Sequence, residues 1–122
     1  MDHDIELRFG KLVEALEKKH GEGVDMAVIL FLIGVNELGH GYRTFNKQEK
    51  TDLMHIAVCT LLEPYGYYEY VGQDDDNWPH FNLVQSLPPL SHPEQQFLLK
   101  EAILAYFTEN EYVDMSELEH GH

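Results

Sequence analysis

At 122 residues the chain has the length of one domain, and a composition 43% hydrophobic and 11% aromatic is globular, which excludes wholesale disorder. Acidic residues outnumber basic ones 22 to 8, for a formal charge of −14. Such a surface repels phosphate backbones and anionic lipid, so nucleic-acid and membrane-surface binding are disfavoured, and a basic protein, a cation or a metal is the natural partner. With eight histidines, that charge should shrink as pH falls.

A single cysteine, Cys59, excludes an internal disulfide framework. The start Met1-Asp2-His3-Asp4 has neither the positive nor the apolar region of a secretory signal, and the two observations together imply a cytoplasmic residence. The apolar run Val24–Val35 is interrupted by Asp25 and falls short of the ~20 residues a membrane span needs, so it reads as a buried helix.

In chain order, Ile5, Phe9, Leu12, Val13 and Leu16 recur at helical spacing over residues 4–20, with charged residues on the other side, and Gly21-Glu22-Gly23 ends the helix. The second helix is apolar on nearly every side, with Asp25 at its start and Gly39 and Gly41 at its end. Asn46-Lys47-Gln48-Glu49 has the form of a capping box and opens a third helix, whose core face is Leu53, Met54, Ala57, Val58 and Leu61. Pro64 closes it. Tyr67-Tyr68-Glu69-Tyr70-Val71 favours a strand, Gly72–Asn77 a loop, and Trp78–Leu83 a second strand that Pro79 confines to an edge or a start, so residues 66–85 read as a hairpin. Ser91-His92-Pro93-Glu94 is a second capping box, opening a fourth helix to about Phe107 with Leu99, Ala102, Ile103 and Tyr106 as its stripe. The fold expected is therefore mostly α (α+β): four helices with a two-stranded hairpin between the third and fourth, one domain over residues 1–108, and a frayed acidic tail over 109–122.

The polar residues that stand out lie at the junction of the second and third helices. Glu37 and His40 have the form Glu-x-x-His, and Asp52 and His55 the form Asp-x-x-His, with Glu49 one turn before and Cys59 one turn after. Residues three apart are neighbours on a helix, so each pair can aim a carboxylate and an imidazole at one point. Antiparallel helices would bring both pairs towards one divalent metal, held by Glu37, His40, Glu49, Asp52 and His55. The doubled motif resembles that of the di-iron four-helix proteins, although those take the pairs from helices that are not sequence neighbours. Asn36-Glu37-x-x-His40 with Glu49-x-x-Asp52 also resembles the magnesium motif of the all-α nucleoside triphosphate pyrophosphohydrolases, with Asn36 and His40 replacing two carboxylates. The simpler reading makes Glu37 a cap or a partner of Arg43 or Lys47, His40 a last-turn residue favoured by the helix dipole, and Asp52 with His55 a surface pair.

Three other features are weighed beside that cluster. Asp74-Asp75-Asp76 lacks the alternating acids and distal Glu of a calcium loop and reads as a solvated turn. Cys59 has no cationic neighbour in sequence and reads as a buried, inert thiol. Tyr67, Tyr68, Tyr70, Trp78, His80 and Phe81 load the hairpin with rings, half of which must face away from the core, as a protein-binding face or a dimer seam. The segment Asp52-Leu53-Met54-His55-Ile56-Ala57-Val58-Cys59, with Gly66-Tyr67-Tyr68 and Trp78-Pro79-His80, resembles a small family of bacterial hypothetical proteins over most of residues 25–107. That resemblance implies only a compact cytoplasmic domain and does not bear on the choice of function. The function expected is an acidic interaction or regulatory module that binds a protein partner or a second copy of itself. The alternative is a metal-binding protein with a di-metal carboxylate and histidine site, a hydrolase or an oxidase.

Overall fold

The computed structural model describes residues 3–39 and 43–109. The element order is α1 (His3–His20), α2 (Met26–Leu38), α3 (Lys47–Leu62), a 3-10 turn (Glu63–Tyr65), β1 (Tyr68–Gln73), β2 (Pro79–Leu83) and α4 (His92–Glu109). Four helices with an antiparallel hairpin between the third and fourth is the architecture the sequence implies. Contacts divide the chain into two compact units, one holding α1 and α4 and the other spanning Asp25–Pro88.

In the first unit α1 and α4 pack on each other. Ile5, Leu12 and Leu16 of α1 are buried, as are Ala102, Ile103, Leu104, Tyr106 and Phe107 of α4, while Leu99 is only half-buried. Lys100 ties the pair at its edge, with its ammonium 2.8 Å from Glu6 and 5.3 Å from the centre of the Phe9 ring. The second capping box is present: the Ser91 N–H donates to Glu94 Oε1 at 2.9 Å, and the Glu94 N–H donates to Ser91 Oγ at 3.3 Å. Glu94 also begins the helix with the negative charge its dipole favours. The α4 helix runs through Glu109, and residues 110–122 of the expected frayed tail lie outside the described residues.

The Asp25–Pro88 unit is built on α2. Asp25 caps it by accepting the Val28 N–H at 3.0 Å, and Gly39 closes it in the left-handed conformation at φ 76, which glycine adopts without a Cβ penalty. Seven of its residues between Ile29 and Leu38 are buried, which is what all-round apolarity requires. It lies against α3 so closely that Gly34 has no room for a side chain: a Cβ there would sit 2.7 Å from the Leu53 carbonyl carbon. The Asn46–Glu49 capping box opens α3, with both reciprocal bonds formed. The buried residues of α3 are Leu53, Ile56, Ala57, Cys59, Leu61 and Leu62, a broader face than the expected stripe, because α2 and the hairpin both cover it. Met54 and Val58 are correspondingly only half-buried.

Pro64 does not simply stop the chain. It starts a 3-10 turn that ends at Gly66 and hands the backbone to β1. The hairpin pairs Tyr68 with Leu83, Glu69 with Asn82 and Tyr70 with Phe81; the register then slips, leaving Val71 in a bulge, and resumes at Gly72 opposite His80. Pro79 opens β2, where its missing N–H costs no ladder bond. Trp78 and Phe81 pack on the cluster formed by Val35, Leu38, Phe45, Leu53 and Ile56, with Phe31 beside them. This cluster anchors the hairpin to α2 and α3.

Candidate functional site

A groove of about 440 Å³ lies between α3 and the hairpin, lined by Glu49, Asp52, His55 and Ile56 from one side and Asp74, Trp78, Pro79 and His80 from the other. The capping box holds Glu49: its Oε1 accepts the Asn46 N–H at 3.0 Å, and its Oε2 lies 3.3 Å from the Arg43 guanidinium. The Asn46 N–H, reinforced by Arg43, keeps the Glu49 carboxyl below its ordinary range against a smaller desolvation effect. One turn on, Asp52 is exposed and accepts a hydrogen bond from the Gln48 amide at 2.9 Å through one oxygen. His55 faces the same groove, with its Nε2 3.5 Å from the Cys59 sulfur and its ring edge-on to Tyr68 at 6.4 Å.

The opposite wall is held by Asp74, which organises the hairpin turn. Its Oδ1 accepts the Asp76 and Trp78 N–H groups at 2.9 and 3.0 Å, and its Oδ2 meets His80 Nε2 at 2.9 Å. The His80 bond, then the Trp78 N–H, holds the Asp74 carboxyl below its ordinary range. Asp74-Asp75-Asp76 is thus a turn, as the missing calcium-loop pattern implies, but an organised one in which the first acid is the clasp. Asn77 completes it at φ 67, a conformation asparagine tolerates.

The five residues considered as metal ligands are divided by the fold. Glu49, Asp52 and His55 line the groove. Glu37 lines a separate cavity of about 270 Å³ with Thr60, Glu63, Tyr70, Gln73, Pro79 and Phe81. Buried Pro79 lines both. His40 lies outside the described residues, and among those described no three His, Cys, Asp or Glu side chains gather closely enough to hold a metal ion. Arg43 pairs with Glu49 and also sits over the Phe45 ring at 4.4 Å. Cys59 is buried and its thiol is pushed up to about 11 by desolvation, which keeps it protonated and unreactive at neutral pH.

The six hairpin residues expected to form an interaction face divide between covered and exposed positions. Trp78 and Phe81 are partly covered by the core cluster, and Tyr67 and Tyr68 are half-buried. Tyr70 and His80 are exposed, with Tyr70 edge-on to Phe81 at 5.7 Å. Other apolar side chains here are as open: Val71, Leu83 (58%) and Val84 (59%) are more exposed than Tyr70, and Leu87 is exposed to a smaller extent. For Leu83, Val84 and Leu87 a signal exists in the sequence. From Asn77 to Pro93 there is no Asp, Glu, Lys or Arg, although 25% of the chain is of those four types.

No helix among the described residues is long and apolar enough to cross a membrane. No protein-family model matches the chain, and neither curated proteins nor solved structures gave a match.

Proposed function

We propose that this chain is a small, acidic, non-enzymatic interaction module that associates with a second copy of itself through the β2 edge of the hairpin. The observation that carries this reading is the exposure of Leu83, Val84 and Leu87 within a stretch, residues 77–93, that bears no formal charge, with Tyr70 and Val71 of β1 also exposed. Two chains of charge −14 repel one another, so they meet at least cost where the charge is lowest. Apolar surface there gives the attraction, at roughly 25 cal/mol per Å² buried. The sheet has only two strands, and the β1 edge is partly sealed because the Tyr70 N–H donates to Glu63 Oε2 at 3.2 Å. That leaves β2 as the edge through which pairing with a second copy would run.

Sedimentation velocity over a concentration series tests the reading. Wild-type protein should show a concentration-dependent dimer, and Leu83→Ser with Val84→Ser should raise its dissociation constant about tenfold or more, since a buried aliphatic side chain contributes roughly 1.5–3 kcal/mol. A wild type that stays monomeric at every concentration would overturn it.

A further inference from the structure

We infer that the groove between α3 and β2 is a recognition site for a basic side chain, a lysine or arginine of a partner polypeptide. The reading goes beyond self-association: the groove shares no residue with exposed Leu83, Val84 and Leu87, although Pro79 and His80 also belong to β2, along whose edge a second copy would pair. The groove joins two kinds of wall. Ile56, Pro79 and half-buried Trp78 line it with apolar groups, and the carboxylates of Asp52 and Asp74 come from separate elements that the fold holds together.

The match to one occupant follows from that combination. Lysine and arginine carry an apolar stem and a charged head, and they lay the stem on apolar surface while the head stays with polar groups. A cation is further attracted to an indole face. Asp52 uses one carboxylate oxygen for Gln48 and keeps the other for a ligand, whereas Glu49 is already engaged by Arg43. Asp74 is engaged by His80, so Asp52 is the first contact for an incoming cation. The surplus of negative charge over the whole chain would steer a basic peptide towards it. At about 440 Å³ the groove falls in the range of small recognition sites and exceeds what a single side chain needs, so adjoining residues of the peptide would share it.

Trp78 is the chain's single tryptophan, so its emission reports on this groove directly. The probe is a short peptide of alternating glycine and arginine, compared with the same peptide carrying citrulline, which keeps the shape and removes the charge. The arginine peptide should shift Trp78 emission saturably and the citrulline peptide should not. Asp52→Asn keeps the acceptor for Gln48 and removes one charge, and should weaken binding roughly fivefold or more. Glu69→Gln, an equal change of charge at an exposed β1 position outside the groove, should leave it within about twofold. Far-ultraviolet circular dichroism confirms that both variants are folded. Equal weakening by the two substitutions, equal binding of the citrulline peptide, or no Trp78 response at millimolar peptide would each overturn the assignment. Repeating the titration on the Leu83→Ser, Val84→Ser protein, in which pairing along β2 is weakened, separates groove binding from self-association.

Discussion

Two glycines in helices have opposite roles. Gly34 is the point where α2 meets the Leu53 backbone, so Gly34→Ala must push the helices apart and should cost about 2–3 kcal/mol in urea denaturation. Gly10 sits within α1 with nothing near the place a Cβ would occupy, so Gly10→Ala should stabilise by roughly 1 kcal/mol through helix propensity alone. If the two substitutions shift the midpoint equally, the close α2–α3 contact is wrong. In the sequence Gly34 passes as one more position in an apolar run. The difference is legible only once α3 is placed against α2.

The helices begin where their capping residues say they should, because a cap is a local matter of one side chain and two backbone amides. Asn46–Glu49, Ser91–Glu94 and Asp25 with Gly39 are all realised in the structure. Asn46→Ala should cost about 1 kcal/mol and fray the start of α3, measurable as faster amide exchange at residues 47–50. Glu49, Asp74 and Glu94 all have carboxyl groups held below their ordinary values of 4.5, 3.8 and 4.5 by these local bonds. A depressed carboxyl contributes stability while ionised and loses it as pH falls through the folded value, so chemical-denaturation midpoints should begin to drop below about pH 4.5 and keep dropping into the acid range. Asp74→Asn should remove part of that acid dependence along with the His80 clasp. What local rules could not supply was the pairing between elements. Helical spacing correctly makes Asp52 and His55 neighbours, but which wall they face depends on where Pro79 and the hairpin come to rest. Hence Glu49, Asp52 and His55 share a groove with Asp74 and His80, while Glu37 opens into another cavity.

Over the whole molecule the dominant quantity is charge. The two contacts proposed respond to salt with opposite signs, which separates them in a single experiment. Raising ionic strength to about 1 M shortens the screening length to ~3 Å, so self-association through the uncharged strip should tighten as repulsion between copies is screened. Binding of the arginine peptide in the groove should weaken over the same range. Parallel trends would mean that one or both contacts lie elsewhere. The sequence conveys the total charge at once, but its distribution, with a neutral stretch from Asn77 to Pro93, becomes meaningful only when Leu83 and Val84 prove to be uncovered.

Cys59 lends the molecule an internal alarm. Its sulfur is shielded inside the Asp25–Pro88 unit and, with the thiol raised to about 11, a maleimide in neutral buffer finds neither access nor thiolate. Alkylation can proceed only during excursions that expose α3. One native atom thus timestamps each such opening, without any engineered label.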